Sequence, residues 1–349
     1  MLHLRYIGFV TSSTIRPIHS LLLIALAVLP LTACSRHGKA QEMAYVSAPQ
    51  VVLRDRVAAV FNKNGTVKNG ERVQVLEREK RFARVRTQGG VDGWMEQRYL
   101  VSQQVFDGFQ KLLQQEQNDP IQALGTTRND TNIHLEPGRE AEHLYQLNQG
   151  VKVSVLKRGT TEKVLPGTTP TPKVDLKSPV PAASIREDWW LIRDPEQHVG
   201  WVLARLVDID APLEIAQYAE GQRIVAFFVL NEVMDEGKKV PQYLVLLTEP
   251  HDGMDFDFNQ ARVYTWNVKR HRYETAYRER NLEGVLPATV AQEDFDKEGT
   301  LPVFVLRVKD DSGNTSERKY KLNTPIVKRV LAPGEAASKP AGKKRAGQH

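Results

Sequence analysis

The stretch Gly70-Glu71-Arg72-Val73-Gln74-Val75-Leu76 recurs eighty residues later as Gly150-Val151-Lys152-Val153-Ser154-Val155-Leu156. Valines at alternate positions after a glycine predict a half-buried strand that leaves a tight turn. The same offset also pairs apolar positions on either side of the stretch, Leu53 with Ile133 and Val67 with Leu147. The chain therefore contains two copies of one small β module.

The second half of the module repeats with an offset of 107. This offset pairs Phe82 with Trp189, Val85 with Ile192, Gly93-Trp94 with Gly200-Trp201, Arg98 with Arg205, and Tyr99-Leu100 with Leu206-Val207. The difference between the two offsets places an insertion in the second copy, at about residues 158–186. Its prolines and threonines predict extended, unpacked chain.

The order of these motifs resembles the bacterial SH3 (SH3b) family. The resemblance implies two SH3-like barrels, at residues 44–101 and 126–209, of a kind often appended to cell-wall hydrolases. The first copy has Phe82 where the family often has Trp. The second has Ile133-His134 for the usual apolar-Arg pair and Leu206 for the closing Tyr. These departures are compatible with the fold but weaken the expectation of a ligand groove of the family type.

Between the copies, residues 102–125 predict a linker helix. Five apolar residues fall at helical spacing, and Asn118-Asp119-Pro120 supplies a stop: Val105, Phe106, Phe109, Leu112 and Leu113. The apolar stripe packs on a barrel or binds a partner. Residues 211–330 contain sequential short strands without helical spacers, which predicts an antiparallel sheet, sandwich or partial barrel. The fold class is thus mainly β, and residues 331–349 form a disordered basic tail.

The first 33 residues form a predicted signal peptide. The apolar run Leu21 to Leu31 follows Arg5 and Arg16, and no acidic residue precedes it. It ends in Leu31-Thr32-Ala33-Cys34, which resembles the lipobox of bacterial lipoproteins. An ordinary cleaved signal and an uncleaved anchor are the alternatives. The resemblance implies an acylated Cys34, a tether at residues 34–43, membrane lipid as a partner and a location facing the periplasm. Ser35 favours the outer membrane by the enterobacterial sorting rule.

The net charge of +6 would favour nucleic acid as a partner if it lay on the folded body. The signal and the tail carry most of it, since they contribute +2 and +3 and leave about +1 for residues 34–330. We therefore expect no nucleic acid partner. The tail either contacts anionic lipid or wall polymers or is solvated.

No catalytic motif is evident. Cys34 is the only cysteine and lies at the end of the signal, so no thiol nucleophile remains in the mature chain. The histidines lack zinc-ligand spacing, and no Gly-x-Ser-x-Gly, phosphate-loop or dinucleotide motif occurs. We expect no enzyme, no cofactor and no metal. Six carboxylates around Gly253 and Gly299 are weak calcium candidates or parts of solvated loops: Asp252, Asp255, Asp257, Asp294, Asp296 and Glu298.

Five aromatic residues are candidate ligand or partner contacts. Trp94 and Trp201 follow Gly in each repeat and favour barrel packing, and Tyr99 closes the first module. Trp189 and Trp190 are adjacent, and neighbouring strand residues point to opposite faces. One of the two should therefore pack under the insertion, against the C-terminal domain or against a partner.

The sequence leads to one functional hypothesis and two alternatives. The first is a membrane-anchored, non-catalytic envelope lipoprotein whose tandem modules bind peptidoglycan peptides or a protein partner. The second is a cell-wall enzyme with an unrecognised catalytic domain in residues 211–330. The third is a scaffold of an envelope complex without affinity for the wall.

Overall fold

The computed structural model describes residues 41–57, 62–163 and 185–331. The predicted signal peptide, Cys34, most of the tether, the centre of the insertion and nearly all of the basic tail lie outside these ranges. Within them, no helix is long and apolar enough to cross a membrane. The fold is mainly β, as the sequence predicts, and consists of three seven-stranded sheets.

The first sheet is barrel 1. Its strands are all antiparallel, in the order β3-β2-β6-β5-β4-β1-β7. They are β1 Glu42–Val46, β2 Gln50–Arg54, β3 Lys63–Lys68, β4 Arg72–Glu79, β5 Phe82–Thr87, β6 Asp92–Glu96 and β7 Leu100–Ser102. A 3₁₀ turn, Gln97–Tyr99, precedes β7. The alternating valines of β4 are buried on the inside of the barrel together with Leu53, Val67 and Val85.

The second sheet is barrel 2, and its order, β10-β9-β13-β12-β11-β8-β14, repeats that of barrel 1 strand for strand. Its strands are β8 Ala123–Thr127, β9 Thr131–His134, β10 His143–Leu147, β11 Lys152–Glu162, β12 Arg186–Arg193, β13 Val199–Leu203 and β14 Val207–Ile209. Gly70 and Gly150, which open the repeated stretch, have φ of +74° and +83°. A left-handed residue is needed at this turn, which explains glycine in both copies.

The insertion in barrel 2 begins later than the sequence predicts. Residues 158–162 continue β11 and pair with residues 186–190 of β12, so they are regular strand and not unpacked chain. Ion pairs from Arg158 to Asp257 and from Arg186 to Asp255 hold these strand ends against the C-terminal domain. The Pro-rich part of the predicted insertion, residues 164–184, lies outside the described ranges.

A single helix, α1 Gln103–Glu116, joins the barrels and is shorter than the predicted linker of residues 102–125. Ser102 caps it, since its hydroxyl accepts from the Val105 N–H. The apolar stripe packs inside the molecule: Phe106 stacks on Tyr45 of barrel 1 at 4.0 Å, and Phe109 meets the edge of Tyr145 of barrel 2 at 5.4 Å. The helix thus packs against buried aromatic residues of both barrels.

The C-terminal domain is a seven-stranded antiparallel meander, in chain order from β15 to β21. A short helix, α2 Leu213–Ala216, precedes it. Its strands are β15 Arg223–Asp235, β16 Lys238–Thr248, β17 Phe258–Asn267, β18 Arg272–Asp294, β19 Thr300–Lys309, β20 Thr315–Asn323 and β21 Ile326–Val330. A 3₁₀ turn, Asp296–Glu298, precedes β19. Because β15 contacts both β18 and β19, the sheet is strongly curved.

Barrel 2 and the C-terminal domain share one hydrophobic core. Ile133 and Trp190 of barrel 2 belong to the same buried cluster as Val225, Leu246 and Phe304 of the meander. The segment before β8 seals the contact, because the Gln122 side chain accepts from Ala288 N–H at 2.8 Å and donates to Ala288 C=O at 3.1 Å. The C-terminal domain therefore covers one side of barrel 2.

Candidate functional site

Barrel 1 carries an open groove, which we call groove 1, with a volume of about 420 Å³. Its walls come from β2, from the β5–β6 pair and from the 3₁₀ turn. The lining residues with polar, charged or aromatic side chains are Gln50, Arg54, Arg81, Phe82, Trp94, Glu96 and Tyr99. Phe82, Trp94 and Tyr99 are half-buried, so each presents part of its ring to the groove. Aromatic faces beside cationic groups suit a ligand with both apolar and carboxylate parts.

Two arginines stack on the aromatic walls of groove 1. The Arg81 guanidinium lies 5.2 Å from the centre of the Phe82 ring, and that of Arg98 lies 4.7 Å from the Tyr99 ring. Arg98 also pairs with Glu96 at 2.8 Å. These contacts hold flexible side chains in place at the rim, which reduces the entropy that a ligand must remove on binding.

Barrel 2 carries a corresponding hollow, which we call groove 2, with a volume of about 470 Å³. Its lining includes Asp130, Thr131, Asn132, His134, Trp189, Leu203 and Leu206. The first four are the offset-80 counterparts of Gln50, Val51, Val52 and Arg54 in groove 1. The last three are the offset-107 counterparts of Phe82, Glu96 and Tyr99. The duplication has therefore preserved one groove at the same place in both barrels.

The chemistry of groove 2 differs from that of groove 1. Trp189 is only 1% exposed and meets the His134 ring edge-on at 5.3 Å. Its indole N–H is buried and has no hydrogen-bond partner among the described residues. Burial lowers the pKa of His134, against the hydrogen bond of its Nδ1 with the Ala141 carbonyl, and the neighbouring His143 lowers it further. The imidazole is therefore neutral near pH 7.

An ion pair closes one end of groove 2. Arg139 donates two hydrogen bonds to the carboxylate of Glu187, at 2.7 and 2.6 Å. This bidentate bond lowers the pKa of Glu187 and raises that of Arg139, so both groups stay charged over the physiological range. Because the Arg139 guanidinium is engaged by Glu187, groove 2 offers less positive charge than groove 1.

The structure separates the five predicted aromatic contacts. Trp94 and Tyr99 line groove 1, and Trp189 lines groove 2. Trp190 points to the other side of β12, where it belongs to the core shared with the C-terminal domain. Trp201 packs with Leu112 and Leu113 of α1 and covers Gly159. It differs from its counterpart Trp94 because α1 lies over barrel 2 and leaves the same position of barrel 1 uncovered.

Four of the six predicted calcium ligands are held by basic side chains, and the other two, Asp294 and Asp296, lie at the end of β18 and the start of the following 3₁₀ turn. Arg223 binds Asp252 at 2.8 Å, Arg186 binds Asp255 at 2.5 Å, and Arg158 binds Asp257 at 3.1 Å. In the second cluster, Lys321 binds Glu298 at 2.6 Å. Within the described ranges no group of three or more His, Cys, Asp or Glu side chains could hold a metal ion. The acidic loop after β16 thus serves as an anchor for arginines.

The barrels match two domain families. Residues 56–101 match the Bacterial SH3 domain family, and residues 125–208 match the GW (Gly-Tryp) dipeptide domain family. The chain contains SH3b-type domains. The GW match falls on the copy in which Gly200-Trp201 stands at the position of Gly93-Trp94. No curated protein matches the chain.

Several solved structures show a weak likeness to the chain. An NlpC/P60 family protein from Bacillus cereus has 11% identity over 55% of this chain and 65% of its own, with a TM-score of 0.22. NlpC2 from Trichomonas vaginalis has 10% identity over 69% of this chain and 97% of its own, with a TM-score of 0.17. NlpC1 from the same organism has 10% identity over 67% and 87%, also with a TM-score of 0.17.

Arg54, Phe82 and His134 stand at motif positions of the repeat. Other residues of the SH3b grooves escape a motif search because they lie outside those motifs, and Arg81 of groove 1 and Asn132 of groove 2 are examples. The signal that could have found them is the pair of offsets, since most groove 2 positions map onto groove 1 positions. A repeat that preserves surface positions as well as core positions indicates a preserved binding face.

Proposed function

We propose that the protein is a non-catalytic binding protein of the bacterial cell envelope, and that its two SH3b grooves bind peptidoglycan peptides. The observation that carries this proposal is the duplicated groove, formed at equivalent positions in both barrels. Bacterial SH3 and GW domains are cell-wall-binding modules, which supports the ligand class. Stem peptides combine carboxylates, amines and short apolar side chains, which fits aromatic walls flanked by charged groups.

A lipid anchor is the second part of the proposal. Cys34 follows an apolar run in a lipobox-like sequence, and acylation there would hold the grooves at a membrane that faces the wall. Labelled palmitate should attach to the wild-type protein and not to Cys34→Ala. Labelling that persists in the variant, or release of the wild type as a soluble protein, would contradict the anchor without affecting the grooves.

Co-sedimentation with purified sacculi tests the binding proposal. We expect the wild type to pellet with sacculi and Trp94→Ala and Tyr99→Ala to lose most of this association, because each removes an aromatic wall of groove 1. Phe295→Ala is the matched control, since Phe295 is also half-buried beside a cation, Lys321 at 4.3 Å, but lies in the C-terminal domain. Equal pelleting of all four proteins, or none by the wild type, would refute groove binding.

A further inference from the structure

A third hollow lies between the two grooves. It has a volume of about 320 Å³ and takes walls from both barrels. Barrel 1 contributes Ser47, Ala48, Pro49, Arg98 and Tyr99, and barrel 2 contributes Asn132, His143 and Gln146. We call it the bridge.

The bridge shares walls with each groove. Ala48, Pro49 and Tyr99 line both the bridge and groove 1. Asn132 and Gln146 line both the bridge and groove 2. Because a residue that lines two neighbouring hollows stands at their junction, the three hollows meet end to end.

The seam under the bridge is fixed by polar and aromatic contacts. The Asn69 amide donates to Val46 C=O of barrel 1 at 3.2 Å and to Leu144 C=O of barrel 2 at 2.7 Å, while its oxygen accepts from Gln146 N–H at 3.2 Å. One amide thus closes hydrogen bonds in both barrels. The stack of Phe106 on Tyr45 adds an apolar contact to the same seam. The grooves are therefore held at one spacing before any ligand arrives, which lowers the entropic cost of binding both.

Charge changes sign along these hollows. In groove 1 Arg54 and Arg81 outnumber Glu96, and the bridge adds the exposed Arg98. In groove 2 Asp130 and Glu140 outnumber Arg139. An extended ligand with carboxylates at one end and a free amine at the other would match this gradient in one direction only.

We propose that groove 1, the bridge and groove 2 form one continuous trough that binds a single extended peptide strand across both barrels. This proposal rests on the peptidoglycan-binding function above and adds its stoichiometry and direction: one strand per protein, with its carboxylate-rich part over barrel 1. Two weak grooves then act as one site, because the second contact becomes intramolecular once the first has formed.

Calorimetry with soluble muropeptides tests the trough. The probes are a single stem peptide and a cross-linked pair of stem peptides, titrated into the whole protein. We expect the pair to bind with a stoichiometry of one and at least ~100-fold more tightly than the single stem, the lower end of the gain that linked sites give. Equal affinities, or two pairs bound per protein, would overturn the trough while leaving groove binding intact. Absence of heat with either probe would overturn both proposals.

Two variants localise the effect. His143→Trp fills the bridge, and Arg98→Glu reverses its charge on a side chain that is 68% exposed and can change without loss of the fold. Both should abolish the advantage of the cross-linked pair. Arg98→Glu, whose side chain lines the bridge but not groove 2, should also leave the affinity of the single stem for groove 2 unchanged. Lys111→Glu, an equal charge reversal on the exposed side of α1, is the control and should change neither affinity. An unchanged advantage in Arg98→Glu would contradict the trough.

Discussion

The two barrels have the same strand order and equivalent grooves, yet they are held in the molecule in different ways. The core of barrel 1 consists of its own residues, among them Leu53, Val73 and Val85. The core of barrel 2 is continuous with that of the C-terminal domain. Barrel 1 therefore has a separate hydrophobic core, whereas barrel 2 packs against the C-terminal domain. Duplication thus preserved the groove in both barrels, while only barrel 2 gained a core shared with the C-terminal domain.

The polar contacts also differ between the barrels, because an ion pair of barrel 1 lies at the surface and an ion pair of barrel 2 is buried. In barrel 1, Asp92 pairs with Arg86 at the surface. In barrel 2, Asp188 pairs with Arg158 at 2.6 Å and with Arg223 at 2.8 Å, and its carboxylate also accepts from Gly253 N–H. The side chains of Arg158 and Asp188 are 3% and 1% exposed. The comparison predicts that similar substitutions have unequal effects in the two copies.

The largest effect is expected from the buried ion pair. Asp188→Ala should lower the free energy of unfolding by about 3–5 kcal/mol, because it leaves the buried Arg158 guanidinium without its main counter-charge. Urea unfolding of the whole protein measures this loss. The matched substitution in barrel 1, Asp92→Ala, should cost far less, because its pair with Arg86 is open to solvent. Equal losses would show that barrel 2 is no more tightly integrated than barrel 1.

Alanine substitutions at the glycines of the Gly-Trp pairs should cause the next largest loss of stability. A Cβ on Gly200 would lie 2.3 Å from Ile133 Cγ2 and 2.8 Å from His134 O, and one on Gly93 would lie 2.6 Å from Leu53 Cβ and 3.2 Å from Arg54 O. Both alanine variants should lose about 1–3 kcal/mol of stability, with Gly200→Ala the worse, because neighbouring strands leave no room for a methyl group.

Gly89→Ala is the control for these two variants, since its Cβ would meet only Thr87 Oγ1, at 3.8 Å. It should melt like the wild type. A Gly200→Ala protein that melts like Gly89→Ala would contradict the close crossing of β9 and β13.

Much of the fold could be predicted because local pattern and tertiary structure agree in the barrels. The alternation in the Gly70 and Gly150 stretches defines the β4 and β11 strands, and the repeat offset of 80 defines their equivalence. The ends of β11 and β12 could not be predicted. Residues 158–162 are strand because Arg158 and Arg186 bind acidic residues nearly 100 and 70 positions away in sequence, and such contacts leave no periodic signal.

The candidate site likewise has features that the sequence predicts and features that it does not. Trp94 and Tyr99 stand out as aromatic residues at repeated positions, and they line groove 1. The different settings of Trp94 and Trp201 depend on α1, which covers Trp201 with Leu112 and Leu113. The sequence predicts that the helix exists and that its stripe packs somewhere. It does not indicate that the stripe is divided between the barrels, with Phe106 against Tyr45 of barrel 1 and Phe109 against Tyr145 of barrel 2.

Acid should affect barrel 2 through Asp188. Burial disfavours its charged form, but the hydrogen bonds from Arg158 and Gly253 and the nearby Arg223 outweigh this and lower its pKa below the usual 3.8. A carboxyl whose pKa is lower in the folded state stabilises the fold above pH 4, and this contribution is lost as pH falls through the folded pKa. Stability measured from pH 6 down to pH 2 should therefore fall less steeply in Asp188→Asn than in the wild type.

Asp257, in the same network, should act with the opposite sign. Burial raises its pKa, against the Leu286 N–H bond and the Arg158 charge. Its folded state therefore binds a proton more readily than the unfolded chain between pH 3.8 and the raised value, and its contribution is lost as pH rises through that window. Asp257→Asn should make the acid loss steeper. Identical slopes in both variants and the wild type would exclude this network as the source of the pH dependence.

The smallest predicted effect is a difference in salt sensitivity between the ion pairs of the two barrels. The Arg86 hydrogen bond also lowers the pKa of Asp92, but this pair lies at the surface. At 1 M salt the screening length falls to about 3 Å, which weakens exposed pairs far more than buried ones. The stability difference between wild type and Asp92→Ala should therefore vanish as NaCl is raised from 0.05 to 1 M, because an exposed ion pair is screened by salt. The difference for Asp188→Ala should persist, because no ion reaches a carboxylate enclosed by Arg158, Arg223 and the Gly253 backbone. If both differences fell together, burial would not distinguish the two copies, and their divergence would have to lie in the grooves alone.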